Sequence, residues 1–308
     1  MSAPGKMMIA GEYAVLEGAE AIVAAVDRRA FVELREGPRA ASDKPEVQAA
    51  RETAERRLGA IDGSLELDVS ALRSGDRKLG LGSSSAAAAA AAGAVYAAHG
   101  LDTDDPAVRA QLLEDAFEGH RSIAPEGSGA DVAAAVLGGF VRFRRIGLDV
   151  VTDSLSWPEE ARLCVVWTGH PVRTSDMVAK VRELATRDPV RHDALIQGLG
   201  EAATGLIGAL EDRNLQGIIH GFEHHLIAMA DLGATAGVPI VDPITEQIQQ
   251  LARSHGGAAK PSGAGGGDVV LAVFQDSQDE AGFRSGCAEA GFELLSIVVG
   301  DVGERVER

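Results

Sequence analysis

Glycine, serine and lysine occur together in three segments of the sequence, and residues of these types can hold phosphate groups. The segments are residues 2–13 (SAPGKMMIAGEY), 78–87 (KLGLGSSSAA) and 260–268 (KPSGAGGGD). Glycine lets an anion approach the bare backbone, while serine hydroxyls and lysine ammonium groups supply hydrogen bonds and positive charge. The chain has only five lysines, and Lys6, Lys78 and Lys260 fall in these segments. That placement indicates positive charge aimed at phosphate, with chance clustering as the alternative.

The segment from Lys78 to Val95 predicts a glycine loop that leads directly into a helix. Gly80 and Gly82 favour a turn, three serines follow at 83–85, and seven alanines come next. Serine is a good N-cap and alanine is the best helix former, so we expect a serine to cap this helix. The first N–H groups of a helix lack an intrahelical partner, and the helix dipole adds positive charge there. The pattern favours a phosphate or Mg²⁺ site, with an ordinary loop before a buried helix as the alternative.

Asp131 is the acidic residue that the sequence singles out for chemistry. It lies in GSGAD and precedes the apolar run VAAAV, so we expect it half-buried at the end of an element. A carboxylate near a lysine can orient an attacking hydroxyl group or accept its proton. An N-cap aspartate would have the same sequence context, and the two interpretations are compatible.

The glycine run in KPSGAGGGD is too flexible for the interior of a helix or strand. Apolar strand residues follow it at once, which favours close approach to a ligand or another backbone over a loose surface loop. None of the three segments matches the Walker A pattern or the strand-flanked GxGxxG pattern of dinucleotide-binding folds. The residues therefore indicate a phosphate ligand without indicating either of those folds.

Two further groups of polar residues have weaker patterns. His220 and His224 have a spacing that could hold a metal, but no third ligand is evident, so we expect surface or hydrogen-bonded histidines. Arg173, Thr174 and Ser175 lie between a predicted strand and a predicted helix. They fit a second anion-binding turn, or a helix start capped by Ser175.

The composition argues against some classes of partner. The 308 residues include 46 acidic and 29 basic side chains, which gives a formal charge of −17. Nucleic acid and anionic membranes would not be attracted, so neither is expected as a partner. No signal peptide is evident, and the longest apolar run is too short to span a membrane. We therefore predict a cytoplasmic protein, monomeric or homodimeric, that binds a small phosphorylated molecule and keeps Cys164 and Cys287 reduced in its core.

Length and patterning predict two domains built from strands and helices. Apolar or alternating runs predict strands near residues 7–10, 21–26, 30–36, 65–72, 140–145, 162–169, 268–274 and 292–299. Helical spacing predicts helices near 106–119, 174–187, 191–211, 214–233, 242–255 and 277–290, besides the alanine-rich one. The polar stretch around Trp157 predicts the boundary between an N-terminal domain of residues 1–157 and a C-terminal domain of residues 158–308.

Taken in this order, the three glycine-rich segments resemble those of the GHMP kinase superfamily, and the resemblance covers nearly the whole chain. Within it, SAPGKMMIAGEYAVLEG, GSGADVAAAV, WTGHPVRTS and KPSGAGGGD are most similar to the bacterial and fungal type of phosphomevalonate kinase. Glu12 and Tyr13 stand where mevalonate kinases usually have Glu-His. The resemblance implies an α+β fold with a domain like domain 2 of ribosomal protein S5 and a ferredoxin-like C-terminal domain. It also implies transfer of the γ-phosphoryl group of Mg-ATP to 5-phosphomevalonate, in the mevalonate pathway of isoprenoid biosynthesis.

The resemblance implies roles for residues at matching positions. Lys6 would neutralise the reacting phosphates, Ser84 would bind Mg²⁺, and Asp131 would be the catalytic aspartate. Because a phosphate acceptor is already ionised near neutral pH, Asp131 would position the acceptor more than deprotonate it. The nucleotide would be held by Gly80, Leu81, Gly82, Ser83, Ser84 and Ser85. The acceptor would be bound by Tyr13, Ser128, Gly129, Arg173, Lys260, Ser262, Gly263 and Gly265.

The chain departs from the family pattern at a position that concerns the metal. Mevalonate kinases have a Mg²⁺-binding glutamate eleven residues before the catalytic aspartate, and this chain has His120 there. Glu118 and Glu126 are the alternative second ligands. Two other functions stay open: the same chemistry on mevalonate or another small alcohol, and a non-catalytic, regulatory ATP-binding role. The lysine, serine and aspartate of the family's catalytic set are all present, which favours catalysis.

Overall fold

A computed structural model describes residues 1–75, 77–147, 149–172 and 174–307, and in them it confirms the predicted mixture of helices and strands. The strands are β1 (Ser2–Ala10), β2 (Ala21–Arg35), β3 (Ser64–Asp68), β4 (Arg73–Ser74), β5 (Arg77–Lys78), β6 (Phe140–Ile146), β7 (Asp149–Leu155), β8 (Arg162–Trp167), β9 (Ala258–Pro261), β10 (Val269–Phe274) and β11 (Glu293–Leu295). The helices are α1 (Pro45–Leu58), α2 (Ser83–Ala98), α3 (Pro106–Ile123), α4 (Ala130–Leu137), α5 (Thr174–Arg187), α6 (Pro189–Glu211), α7 (Leu215–Ala236), α8 (Pro243–Ser254) and α9 (Ser277–Ala290). Short 3₁₀ helices occupy Ala14–Glu17 and Ser70–Leu72.

The strands form three sheets. A five-stranded sheet has the order β1-β2-β6-β7, with β3 paired to β2, and a four-stranded antiparallel sheet has the order β11-β8-β10-β9. Strands β4 and β5 form a small hairpin.

The chain divides into two compact units, and each is discontinuous in sequence. The first consists of Met1–Met7, Val23–Val141 and Val298–Arg308, and the second of Met8–Ile22 and Arg142–Ile297. The predicted domains are consecutive segments, and their boundary near Trp157 stays a prediction.

The alanine-rich helix α2 is the centre of the first unit. Its residues from Ser85 to Tyr96 are buried, and it packs against α1, α3 and α4. Because alanine has a small side chain, neighbouring helices can approach α2 closely on several sides. This packing fixes the N-terminal end of α2, where the glycine loop joins it.

The four-stranded sheet and its helices form the core of the second unit. Strand β10 is buried along its whole length, and α8 and α9 pack on the sheet through an apolar cluster that includes Cys164 and Cys287. Both cysteines are buried and unpaired, as predicted. A second cluster joins α5, α6 and α7 around Leu199, Met229 and Leu232.

Several elements differ from the expectation. Strand β2 is one continuous strand where two short ones were expected, and β7 and β9 were not predicted. Strand β11 is limited to three residues of the expected run 292–299. Over the described ranges, no helix combines the length and apolar character needed to cross a membrane.

Candidate active site

Gly82 sets the geometry of the loop before α2. It is the N-cap residue of α2, with φ 74° and ψ 43°, a left-handed conformation that glycine adopts readily. A Cβ atom there would lie 2.8 Å from Cγ of Lys6 and 3.0 Å from Oγ of Ser85, so a side chain has no room. The predicted serine cap is wrong, because Ser85 Oγ donates back to the carbonyl of Gly82 at 2.8 Å and no side chain caps the helix.

The first turn of α2 presents backbone N–H groups that the helix does not use. Its first backbone hydrogen bond runs from Ala86 N to the carbonyl of Gly82, at 3.1 Å. The N–H groups of residues 83–85 therefore have no partner within the helix, and the helix dipole adds positive charge beside them. Gly80 is exposed at φ 73°, Leu81 is buried, and Ser83 and Ser84 are half-buried. This arrangement suits phosphate oxygens.

Strand β1 brings Lys6 to the same loop. The Lys6 N–H donates to the carbonyl of Leu81 at 2.8 Å, and a Cβ atom on Gly5 would lie 2.6 Å from that carbonyl oxygen. Glycine at position 5 therefore lets β1 approach the loop closely. The aliphatic part of Lys6 then passes over Gly82, which places a half-buried lysine beside the unused N–H groups. The catalytic role of Lys6 stays a prediction.

Ser84 lies beside His120 of α3, with 3.2 Å between Oγ and Nε2. When the hydroxyl donates to the imidazole, its lone pairs are left for a cation, so Ser84 fits Mg²⁺, which prefers oxygen ligands. The nitrogen of His120 does not suit Mg²⁺. No group of three His, Cys, Asp or Glu side chains that could hold a metal occurs in the part of the chain that the structure describes. The fit to Mg²⁺ therefore rests on Ser84 together with phosphate oxygens of a nucleotide.

The two alternative metal ligands are both exposed. Glu118 accepts a hydrogen bond from Arg56 of α1 at 2.6 Å, which directs its carboxylate to that helix. Glu126 lies between α3 and α4. Glu118 and Glu126 both remain candidates for the second metal ligand.

Asp131 is the second residue of α4 and is half-buried, as expected. The N-cap is Gly129, at φ 87°, so the interpretation of Asp131 as an N-cap is wrong. One carboxylate oxygen accepts from Val132 N at 3.1 Å. Because α4 packs against α2 and α3, Asp131 belongs to the same unit as the loop.

The residues before Asp131 form a tight turn. Ser128 is half-buried, and its Oγ accepts from Ala130 N at 3.2 Å. The ring of Phe117 fills the space that a side chain on Gly129 would need. Packing of that ring therefore requires glycine at position 129, whatever the turn binds.

In the second unit, residues 8–13 hold the start of the glycine loop 262–267. Ser262 Oγ donates to the carbonyl of residue 8 and accepts from its N–H, both at 3.0 Å. The N–H of Gly263 donates to Glu12 Oε1 at 3.3 Å, and the buried Tyr13 hydroxyl donates to the carbonyl of Ala264 at 2.5 Å. Burial raises the pKa of Tyr13, so this hydroxyl remains a donor. Three consecutive loop residues are thus each fastened to one short segment.

The glycines of this loop face different surroundings. Gly263 and Gly265 have φ values of 88° and 76°. A Cβ atom on Gly265 would clash with the carbonyl oxygen of Ile240, whereas one on Gly263 would meet no atom of the described residues within 4 Å. The backbone of Gly265 therefore packs on protein, and that of Gly263 faces open space.

Lys260 belongs to a buried charged group that sequence reasoning did not predict. Its ammonium donates to Glu12 Oε1 and to the carbonyl of Pro261, both at 2.6 Å, and the side chain is fully buried. The other oxygen of Glu12 lies 2.7 Å from Nε2 of the buried His225. Burial alone would raise the pKa of Glu12, but Lys260 and His225 lower it to about 2, so the carboxylate is ionised. Contact of Lys260 with an acceptor stays a prediction, and its present contacts are all within the protein.

Other predicted site residues lie apart from these contacts. His220 and His224 are exposed on α7, and His220 Nε2 lies 3.0 Å from the side-chain nitrogen of Gln216. Ser175 is inside α5 and bonds Asp176 at 3.3 Å, so it is not the cap of that helix. Arg173 lies outside the described residues.

Two family models match the chain. The model described as GHMP kinases N terminal domain matches residues 47–139, and the one described as GHMP kinases C terminal matches residues 218–291.

Relatives match over nearly the full length. Phosphomevalonate kinase of Streptomyces sp. (strain CL190) is 29% identical, over 96% of this chain and 95% of its own. Mevalonate kinase of Aeropyrum pernix is 30% identical, over 99% of this chain and 97% of its own. Among solved structures, Streptococcus pneumoniae phosphomevalonate kinase in complex with phosphomevalonate and AMPPNP has a TM-score of 0.83 at 21% identity, over 97% of this chain and 99% of that one. The structural likeness shows a shared fold.

Proposed function

This chain belongs to the GHMP kinase family, and we propose that it transfers the γ-phosphoryl group of ATP to the phosphate of 5-phosphomevalonate. The products would be 5-diphosphomevalonate and ADP. The observation that carries the proposal is the head of α2, where Lys6 passes over the left-handed Gly82 beside N–H groups that the helix does not use. This combination is suited to a triphosphate.

In the proposed reaction, an oxygen of the acceptor phosphate forms a bond to the γ-phosphorus of ATP. The bond from that phosphorus to the β–γ bridging oxygen breaks, and ADP leaves with the electron pair. Catalysis of this kind relies on positioning and charge stabilisation. Residues 80–85 would hold the nucleotide phosphates, Lys6 would neutralise charge on the transferred group, and Asp131 would position the acceptor.

Ser84 is the proposed protein ligand of Mg²⁺, which would neutralise phosphate charge when bound. The contact with Nε2 of His120 would orient the Ser84 hydroxyl for that role.

The proposed acceptor contacts are those implied by the family resemblance. They are Tyr13, Ser128, Gly129, Arg173, Lys260, Ser262, Gly263 and Gly265. Gly263 has the strongest support among them, because its bare backbone faces open space. Lys260 and Tyr13 have the least exposed polar groups, and they would act by holding the loop.

Mevalonate is the second candidate acceptor, because the Aeropyrum pernix relative that covers 99% of this chain is a mevalonate kinase. The two candidates differ in chemistry. A hydroxyl acceptor must lose a proton during transfer, which would make Asp131 a general base, whereas a phosphate acceptor is already ionised.

A panel of acceptors tests the proposal. Purified protein is given Mg-ATP with 5-phosphomevalonate, mevalonate or homoserine, and ADP release is followed. We expect kcat/KM for 5-phosphomevalonate to exceed that for mevalonate by at least about 100-fold, because a site built for a phosphate group leaves its polar groups unpaired without one. Preference for mevalonate would replace the proposal by the second candidate. Nucleotide binding without turnover would favour a regulatory role.

Two variants and a control complete the test. Lys6→Ala and Asp131→Ala should lose nearly all activity while retaining the circular dichroism spectrum of the folded protein. Lys44→Ala removes an exposed lysine whose ammonium group pairs with the neighbouring Asp43, and this variant should behave as wild type. Wild-type rates in either catalytic variant would exclude the proposed role of that residue.

A further inference from the structure

A carboxylate, an ammonium group and an imidazole meet in the interior of the second unit, where all three are buried. Glu12 Oε1 lies 2.6 Å from Nζ of Lys260, and Glu12 Oε2 lies 2.7 Å from Nε2 of His225. Lys260 and His225 are fully buried, and Glu12 is 3% exposed. Burying charges costs desolvation energy that their attraction only partly offsets, so such a group is poor evidence for a contribution to stability. The presence of this group therefore calls for an explanation other than stability.

The protonation of His225 follows from its surroundings. Burial lowers the pKa of His225, with Glu12 opposing and Lys260 reinforcing that effect. Its Nδ1 has no hydrogen-bond partner among the residues that the structure describes. Nε2 lies 2.7 Å from Glu12 Oε2, and the backbone N–H of Gly11 points to the same nitrogen at the longer distance of 3.4 Å. We assign the proton to Nε2, in a neutral imidazole that donates to Glu12, because two unprotonated atoms would repel each other at 2.7 Å. Lys260 is held from another side, with Nζ 6.0 Å from the centre of the Phe222 ring.

Glu12 has a third partner, and that partner belongs to the glycine loop. The N–H of Gly263 donates to the same oxygen that accepts from Lys260. His225 and Lys260 hold the two oxygens of the carboxylate from different elements, α7 and β9, and so fix its orientation. The orientation of Glu12 in turn determines where it can accept the Gly263 N–H.

Gly263 is also the loop residue whose backbone is open to its surroundings. A side chain on Gly265, Gly266 or Gly267 would meet protein atoms, but one on Gly263 would meet none within 4 Å in the part of the chain that the structure describes. Among the glycines of the run 263–267, the buried charged group therefore holds Gly263, the glycine whose backbone faces open space. A rigid backbone at such a point reduces the entropy lost when a ligand binds.

We propose that Glu12, His225 and Lys260 are positioning residues that hold Gly263 and its neighbours in the conformation that binds the phosphorylated acceptor. The proposal rests on the proposed function of the chain as a small-molecule kinase. The three side chains act through the loop and do not contact the reacting atoms.

Substitution of His225 tests the proposal while leaving the ion pair of Glu12 and Lys260 in place. His225→Gln keeps a donor near the position of Nε2, and His225→Leu removes it. His225→Met is made in parallel, because a flexible apolar chain fills the site differently should the leucine variant fail to fold. His224→Leu, on the exposed neighbouring position of α7, is the matched control.

The kinetic readout separates positioning from general damage. In His225→Leu we expect the KM for 5-phosphomevalonate to rise about tenfold, the size of effect that loss of one hydrogen bond produces. In the same variant, the KM for ATP and kcat should stay within about twofold of wild type. In His225→Gln, both KM values and kcat should stay within about twofold of wild type. Equal changes in both KM values, or no difference between the glutamine and leucine variants, would overturn the proposal.

Amide hydrogen exchange gives a second readout that does not depend on turnover. It tests the positioning role even if the protein phosphorylates none of the acceptors. In the ligand-free protein, exchange at Ser262 and Gly263 should accelerate about tenfold in His225→Leu while exchange in β10 is unchanged. Unchanged exchange in the loop, or equal acceleration in the loop and β10, would contradict a positioning role.

Discussion

The hydroxyl oxygen of Ser84 lies 3.2 Å from Nε2 of His120, which joins the first turn of α2 to the interior face of α3. The contact orients the one hydroxyl group that we propose as a Mg²⁺ ligand. An imidazole is well suited to accept that proton and poorly suited to bind Mg²⁺ itself. The contact therefore supports different proposed roles for the two residues, with Ser84 as the metal ligand and His120 as its hydrogen-bond partner.

Substitution of Ser84 should change the requirement for Mg²⁺. In Ser84→Ala, the Mg²⁺ concentration for half-maximal activity should rise about tenfold or more, because the site loses a ligand and even the loss of a group that only orients a ligand typically weakens metal binding by 10- to 100-fold. Ser84→Thr keeps the hydroxyl group and should stay near wild type. Titration of activity with Mg²⁺ at saturating ATP measures the effect, and identical curves for the alanine variant and wild type would remove Ser84 from the site.

Gly82→Ala should damage nucleotide binding more than a comparable change elsewhere. The new Cβ would lie 2.8 Å from Cγ of Lys6, at a φ of 74° that alanine rarely adopts, so both the loop and Lys6 must shift. We expect the KM for ATP to rise at least about tenfold. Gly75→Ala is the control, because Gly75 has a φ of 56° with open space around it. Similar ATP affinities in the two variants would contradict the proposed phosphate loop.

Glu304 should make folding stability fall as pH rises. Burial raises its pKa from 4.5 to about 7, against the opposing effects of Arg109 and of the Thr103 hydroxyl. Between these values the unfolded chain has lost the proton and the folded chain retains it. The stability is therefore fully present below pH 4.5 and is lost as pH rises to 7, by about 3 kcal/mol. A Cβ atom on Gly93 of α2 would clash with this carboxyl group, so the glycine makes room for it.

Urea unfolding at pH 5 and pH 8 measures that loss. Because part of the effect is already lost at pH 5, wild type should lose about 2.5 kcal/mol more between the two pH values than Glu304→Gln, which has no titrating group at this site. Glu33→Gln, at an exposed position of β2, should show the wild-type pH dependence. Equal pH dependence in Glu304→Gln and wild type would show that the carboxyl group is not the cause.

The acceptor sets the pH dependence expected for catalysis. A phosphate acceptor ionises with a second pKa of about 6, so kcat/KM should fall below that pH because the attacking oxygen becomes protonated. The same acid limb should persist in Asp131→Asn, at a lower overall rate. A limb that disappears in this variant would identify Asp131 as a general base, which is the behaviour expected for a hydroxyl acceptor.

The sequence predicted those helices whose own residues have a strong helical pattern. Helices α5 and α9 have the predicted bounds, and α2 lies where the alanine run placed it. Strand β9 was not predicted because it has only four residues, which include a lysine and a proline. Its strand conformation depends on its pairing with β10. Strand β7 alternates between exposed and half-buried residues, so it lacks an apolar face.

The part of the site that depends on distant partners could not be read from the sequence. The partners of Glu12 lie on β9 and α7, hundreds of positions along the chain, and no local pattern links them. A histidine next to another histidine in a helix gave no sign that one is exposed and the other fully buried. The caps of α2 and α4 were missed for a different reason. Left-handed glycines took the positions that serine and aspartate usually fill, because the loop geometry leaves no room for a side chain at either glycine.

The most direct test of the central claim is to identify the bond that the protein makes. Protein, Mg-ATP and 5-phosphomevalonate are incubated, and the product is examined by ³¹P NMR. Transfer to the acceptor phosphate predicts two new phosphorus signals, distinct from those of ATP and ADP, that are coupled to each other through one bridging oxygen and are present in an amount equal to the ADP formed. Two uncoupled phosphomonoester signals would show transfer to a hydroxyl group, and either that result or the absence of product would contradict the account.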